Sequence, residues 1–379
     1  MKMFSFDVAW ILFLVISVTP ELSAISDHDN VICFGDEIEG ASLRNVVFDT
    51  SGNMLYVGAV NTIYQLSPEL QLLNSHMTGP GCESSPLEPC QLCEDPQNNC
   101  SQSSIKPVSS FSQLLVINSA ANELMACSNS YNGSCEFVNL TNFVRTRRVN
   151  TSVVSTKINE SAVGFVGVGA NGKPVLYIGA SSMSSNPDSG YIPLISTRDL
   201  QSMEAEGRVI EILPNLTRTF QIRVVAAFQR AKFVYFFVLR RVSATSEDNS
   251  TFVIRICKDL PTKSSMVEVP VTCNKAGLKF PLLRDAVVAP HSMEGAEVVF
   301  GVFGDGSGKS AVCVYAIDDI DRTFQMAIQD CFNGKPNVGP TYVTDDSRDC
   351  IKLVGVTIYH LVGVTVMLAS SLLIVVCVI

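Results

Sequence analysis

Short runs of branched and aromatic residues alternate with turn-forming residues along most of the chain. Residues 46–49, 54–60, 62–66 and 113–117 are such runs, punctuated by Ser51-Gly52-Asn53 and Ser67-Pro68. Residues 175–179, 232–239, 252–256 and 297–303 continue the pattern, which predicts strands of four to eight residues. Helical periodicity is scarce, and only residues 198–206 and 317–326 are expected to form short helices. The body is therefore predicted to be all-β. A weak recurrence supports repetition within it. Leu55-Tyr-Val-Gly58, Leu176-Tyr-Ile-Gly179 and Val298-Val-Phe-Gly301 each place glycine after an apolar triplet, at intervals of 121 and 122 residues. Blades of a β-propeller take about 40–50 residues each, so an interval can hold two blades with insertions. A β-sandwich is the rival architecture.

The two ends depart from this pattern. Residues 1–24 have the form of a secretory signal, with Lys2, an apolar stretch over residues 8–16, Pro20 and a cleavage site at Leu22-Ser-Ala24. Residues 353–379 are almost wholly apolar, interrupted by His360, and are long enough to cross a bilayer as a helix. A membrane-anchored tail is the first reading of this stretch. A lipid-anchor signal and a chain that stops early are the other two. The expected organisation is thus a signal peptide at 1–24, a body at 25–350, and a C-terminal hydrophobic helix, transmembrane or anchor signal, at 353–379.

A signal peptide places the thirteen cysteines in an oxidising compartment, where disulfides are the natural reading. Cys82, Cys90, Cys93 and Cys100 include one C-x-x-C, but no second such pair or paired histidines complete a zinc site. Seven N-x-S/T triplets begin at Asn99, Asn132, Asn139, Asn150, Asn159, Asn215 and Asn249. They predict glycans on solvent-facing positions at all of these but Asn99, whose triplet contains Cys100. The formal charge of -9 argues against nucleic acid, which selects a basic surface.

Candidate chemistry is sparse. His28, His76, His291 and His360 form no metal-ligand pair, and neither a G-x-S-x-G nor an H-E-x-x-H motif occurs. Gly304-Asp-Gly-Ser-Gly-Lys-Ser310 resembles a phosphate loop but holds Phe303 where the first glycine belongs, so a glycine-rich turn is expected. Arg145-Thr-Arg-Arg148 matches a furin-type R-x-R-R site, although a solvated basic run is the preferred reading. No enzymatic activity and no cofactor are expected.

Taken in order, the segments resemble the amino-terminal part of the plexin sema domain. Leu55-Tyr-Val-Gly-Ala-Val-Asn-Thr-Ile-Tyr-Gln-Leu66 is similar to the family's first blade, and Thr78-Gly-Pro80 follows it. Met125-Ala-Cys-Ser-Asn-Ser-Tyr-Asn-Gly-Ser-Cys135 resembles a cysteine-bounded element of the family. Tyr191-Ile-Pro-Leu-Ile-Ser-Thr-Arg198, Ile254-Arg-Ile-Cys257, Val269-Pro-Val-Thr-Cys273 and Ser310-Ala-Val-Cys-Val-Tyr315 continue the series to about residue 331. The resemblance implies a sema-type β-propeller, seven-bladed in the family, with about five blades represented in residues 25–350. It also implies disulfides Cys127–Cys135 and Cys273–Cys331, and bonding within Cys82, Cys90, Cys93 and Cys100. Cys313 would be free and buried, and Cys257 would look to Cys350 for want of its usual partner.

The same resemblance implies a cell-surface protein with an extracellular N-terminal region that binds semaphorin ectodomains, as a truncated receptor or a decoy. Association with further sema-domain proteins would fit, as would membrane attachment through the C-terminal segment. An adhesive surface glycoprotein that keeps the scaffold without semaphorin binding is the alternative. The PSI module, IPT repeats and cytoplasmic GTPase-activating region of plexins do not occur in this sequence.

Overall fold

A computed structural model describes residues 34, 42–49, 53–82, 107–182 and 192–333, apart from 208, 218, 259–264, 276 and 291–296, and then 340–343, 357–361, 364–369 and 372–376. The signal segment at residues 1–24 lies outside the described residues, as do Cys90, Cys93 and Cys100.

Five antiparallel sheets follow one another along the chain, each a simple meander. The first joins β1 (Leu43–Asp49), β2 (Met54–Ala59), β3 (Thr62–Leu66) and β4 (Leu72–Met77). A small pair, β5 (Gly81–Cys82) with β6 (Pro107–Val108), precedes the second sheet. That sheet contains β7 (Ser112–Asn118), β8 (Glu123–Ser128), β9 (Cys135–Asn139) and β10 (Arg145–Arg148). The third holds β11 (Ala162–Val168), β12 (Pro174–Ala180) and β13 (Ile195–Arg198), with Ala205 and Ile210 bridging to β13 as a partial fourth strand. The fourth is β14 (Ile222–Arg230), β15 (Phe233–Arg241), β16 (Asn249–Cys257) and β17 (Val267–Pro270). A hairpin, β18 (Cys273–Lys275) and β19 (Leu278–Phe280), leads into the fifth: β20 (Leu282–Pro290), β21 (Glu297–Gly304) and β22 (Ser310–Ala316).

The first strand of each sheet packs beside the first strand of the next, in the series β1, β7, β11, β14, β20. This is the arrangement of propeller blades around an axis. Among the described residues no comparable packing returns from β20 to β1.

The core sits between sheets, and period-two alternation distributes it. On β15, Val234, Phe236 and Val238 enter the cluster shared with Val175, Tyr177 and Ile210 of the third sheet. The intervening Tyr235 and Phe237 enter the cluster shared with Leu283, Val299 and Phe303 of the fifth. A strand apolar on both sides is buried on both sides, which explains the continuous run Phe233-Val-Tyr-Phe-Phe-Val238. The same logic joins the first sheet to the second through Tyr56, Ile63, Leu115 and Leu124. The second meets the third through Leu114, Phe137, Leu176 and Ile178. The glycine recurrence has a position in this scheme: Gly58, Gly179 and Gly301 lie on β2, β12 and β21, the second strands of the first, third and fifth sheets.

Helix α1 (Ile317–Phe332) starts directly after β22, with Asp318 and Asp319 in its first turn, where carboxylates oppose the helix dipole. Its Ile317, Ile320 and Phe324 fill the cluster between the fourth and fifth sheets. The predicted helix at 198–206 is instead a turn. The Asp199 carboxylate accepts the N–H groups of Gln201 and Ser202 at 2.9 Å each, offering the backbone a local alternative to helix. The chain then returns to the outside of the third and fourth sheets, where Val343 bridges to Ile212 and Leu213 N–H donates to the Tyr342 carbonyl at 2.8 Å.

The expected C-terminal hydrophobic helix requires correction. Residues 357–376 form a three-stranded antiparallel meander, β23 (Thr357–Leu361), β24 (Val364–Ala369) and β25 (Leu372–Val376). The stretch is rich in valine, isoleucine and threonine, which disfavour helix through restricted χ1. No helix among the described residues is long and apolar enough to cross a membrane.

Candidate interaction face

In a meander of four strands, the loops after the second and fourth strands emerge on one side of the assembly. Those after the first and third strands emerge on the other. The predicted glycosylation asparagines divide unequally between these sides. Asn132 lies in the β8–β9 loop and Asn249 at the start of β16, where the β15–β16 loop joins it. Asn150 and Asn159 lie between β10 and β11, and Asn215 between the third and fourth sheets. All five are exposed and occupy the first side. Asn139, half-buried at the end of β9, belongs to the opposite side. Its Oδ1 accepts the N–H groups of Thr141 and Asn142 at 2.9 and 3.2 Å, an Asx turn that orders the loop. Asn132 Nδ2 donates to Ser152 Oγ at 2.8 Å, tying two neighbouring triplets together. Asn99 lies outside the described residues.

The triplet-poor side is held by charged contacts between loops. Lys173, in the turn before β12, reaches Asp199 at 2.8 Å and Glu206 at 2.6 Å. The hydrogen bond from Lys173 leads the effects that hold the Asp199 carboxyl far below the usual carboxylate range. Arg147 of β10 donates to the carbonyls of Gln201 (2.7 Å) and Leu200 (3.0 Å), linking the second sheet to the third.

Arg145–Arg148 is therefore neither a solvated run nor an open protease substrate. It is a strand paired to β9, with the Arg147 guanidinium 3.3 Å above the Phe137 ring and Arg148 3.7 Å above Tyr131. Arg148 also binds Glu136 at 2.8 Å. Glu136, buried on β9, faces the first sheet, where His76 Nε2 lies 3.3 Å from its Oε1 without the alignment of a good hydrogen bond. Burial pushes the Glu136 carboxyl up, but His76 and Arg148 outweigh it and hold the group below its ordinary value. Sequence reasoning missed this knot, although a glutamate between Cys135 and Phe137 in an apolar strand was a usable signal.

Two further ionic centres secure the fourth sheet. Asp321 of α1 accepts from Tyr235 Oη (2.6 Å), Arg255 (2.9 Å) and Arg230 (3.3 Å). Arg240 makes a two-point contact with Glu268 at 2.5 and 3.0 Å, and its guanidinium lies 3.5 Å over Phe252.

Cys127 and Cys135, directly opposite on β8 and β9, are disulfide-bonded with Cα atoms 4.0 Å apart. The second implied pairing is corrected. Cys273 bonds to Cys313, with Cα atoms 5.9 Å apart, while Cys331 is disulfide-bonded elsewhere. The reason lies in packing: β18 lies against β22, where Cys313 shares the inward alternation of Ala311 and Tyr315. Cys257 is a buried cysteine of β16, and Cys350, expected as its partner, lies outside the described residues. Cys82 ends β5, and its expected bonding within the cluster also falls outside what is described. The phosphate-loop lookalike is a hairpin turn between β21 and β22. Asp305 accepts the N–H groups of Ser307 and Lys309 there, and Gly306 and Gly308 supply the positive φ.

Comparison with known proteins agrees with this architecture. The family described as Sema domain matches residues 283–349. Plexin-A4 of Mus musculus is 27% identical over 361 residues, covering 82% of this chain and 18% of that relative. Plexin-B1 of Homo sapiens is 28% identical over 347 residues, covering 83% of this chain and 16% of that relative. The chain thus spans less than a fifth of the length of these curated relatives. Among solved structures, the full extracellular region of Plexin A4 superposes with a TM-score of 0.65 at 23% identity, over 82% of this chain and 39% of that one. The extracellular domains 1–2 of Drosophila Semaphorin 1a give 0.51 at 18% identity, over 81% of this chain and 62% of that one.

Proposed function

From its place among sema-domain proteins of the plexin family, we propose that the chain is an extracellular, surface-associated recognition protein that binds semaphorin ectodomains. The observation that carries the reading is the sema-type arrangement of five sheets, a fold common to the plexin and semaphorin structures it resembles. We assign the partner to the triplet-poor side. Glycans carried at the five triplets of the opposite side would hinder close approach there, whereas the loops around Lys173, Asp199 and Arg147 are pre-ordered by their own contacts.

Binding of semaphorin ectodomains to cells displaying the full chain, tagged after Ala24, tests the function. Saturable binding that scales with the tag signal supports it. A strong surface signal without binding leaves the adhesive alternative in its place.

A further inference from the structure

The outermost strands of the five sheets differ in how they meet solvent. A free strand edge offers unpaired N–H and C=O groups to any other strand, and proteins blunt such edges with charges, proline, bulges or cover. β4 is kinked by a register shift against β3. β10 has a shift as well and carries Arg145, Arg147 and Arg148. β13 is bridged on its outer side by Ala205 and Ile210. β17 holds Glu268 and Pro270. β22 has none of these devices. Its residues, Ser310-Ala-Val-Cys-Val-Tyr-Ala316, include no charge and no proline, and its ladder to β21 runs through seven pairs without a shift. Among the described residues β21 is its one ladder partner, so the fifth sheet stops at three strands where the first, second and fourth have four. Val312 and Val314 stand 52% and 51% exposed on this strand. From the end of β22, α1 turns toward β17 of the fourth sheet.

We propose that β22 pairs antiparallel with β22 of a second copy, joining two fifth sheets into one six-stranded sheet about a two-fold axis at Cys313. Two observations select a second copy of this chain. The strand is complementary to itself. In this register Ser310 stands opposite Ala316, Ala311 opposite Tyr315, and Val312 opposite Val314 of the other copy, so both half-exposed valines gain apolar cross-strand neighbours. The flanks are also complementary in charge. Lys309 precedes the strand, Asp318 and Asp319 follow it, and all three are exposed. An antiparallel pair brings the lysine of each copy beside the aspartates of the other, twice by symmetry, whereas a parallel pair would set like charges together. The pairing uses the rim of the fifth sheet and not the loops around Lys173, so it stands independently of the proposed semaphorin contact.

Sedimentation of the full chain over a concentration series, with hydrogen exchange read by mass spectrometry, tests the pairing. A dimer mass should appear as concentration rises, and protection of 310–316 should rise with it while 114–138 stays unchanged. V312K/V314K sets like charges opposite one another across the seam and should raise the dimer dissociation constant by about tenfold or more. Should those lysines disturb the fold, K309E, at an exposed position outside the strand, gives a second reading. It should raise the dissociation constant by about threefold or more, and K309E/D319K should restore it. A monomer mass at every concentration overturns the proposal. So does a dimer that keeps its affinity in either variant, which places the contact elsewhere. Protection of 310–316 in the monomer, independent of concentration, assigns the edge to another part of the same chain and likewise overturns it.

Discussion

The Tyr342 hydroxyl donates to Glu268 Oε1 at 2.8 Å, while its ring stacks on Phe220 with centroids 4.5 Å apart. One residue of the returning C-terminal segment thereby completes the Arg240–Glu268 pair and closes the cluster between the third and fourth sheets. Burial pushes the phenol well above its ordinary value, and the neighbouring Glu268 carboxylate adds to that, so the hydroxyl stays a donor. Tyr342→Phe should cost about 1–2 kcal/mol, the penalty of a buried acceptor losing one partner. Tyr342→Ala should cost about 3–5 kcal/mol because the stack is lost as well. Chemical denaturation of the two variants measures both.

Breaking the Cys273–Cys313 bond should destabilise the fifth sheet. The bond closes a loop with a sequence separation of 40, so Cys313→Ser is expected to lose about 2–4 kcal/mol. Non-reducing peptide mapping should recover a fragment containing both residues, and a Cys273–Cys331 fragment would contradict this connectivity.

Glu136 should confer an acid-sensitive component of stability. Its folded-state pKa lies below its unfolded value, so its contribution is complete above the ordinary glutamate range of about 4.3 and fades as pH falls through the folded value. Glu136→Gln should cost about 3 kcal/mol near neutrality, because Arg148 loses its partner in a buried site. The gap between wild type and variant should narrow below about pH 4. Thermal melts across pH 3–7 give the comparison. A constant gap would mean the carboxylate charge plays no part.

Gly179 should not tolerate a methyl group. A Cβ there would stand 2.8 Å from Val224 Cγ1 and 3.0 Å from Phe236 Cδ1, both in the packed cluster between the third and fourth sheets. Gly179→Ala is expected to destabilise by about 1–3 kcal/mol through overpacking, measured by the same denaturation assay.

The sidedness of the glycan triplets gives a further test of the proposed binding face. Lys173→Thr creates a new triplet at Asn171, in the turn between β11 and β12 on the triplet-poor side. If that asparagine is occupied, as a gel shift reports, semaphorin binding should fall at least about tenfold, as expected for a bulky surface adduct at a binding face. Lys173→Ala, which removes the contacts to Asp199 and Glu206 without adding a glycan, should fall much less.

Strand identity was legible from local pattern, because alternation and branched residues act within a few residues of one another. The runs at 54–60, 175–179 and 232–239 match β2, β12 and β15 to within two residues at an end, and the glycine recurrence marked alternate sheets. The turn at Asp305 was equally local. Partner choice was not. Cys313 and Cys331 are both within reach of Cys273 along the sequence, and the packing of β18 on β22 selects Cys313. The helix expected at 353–379 followed from hydropathy alone, which measures burial but not backbone conformation. The centres at Glu136, Asp321 and Glu268 join residues 12 to 91 positions apart, so no local window contains them. They exist because charged groups excluded from water between sheets require partners, and which partners stand near is set by how the sheets pack.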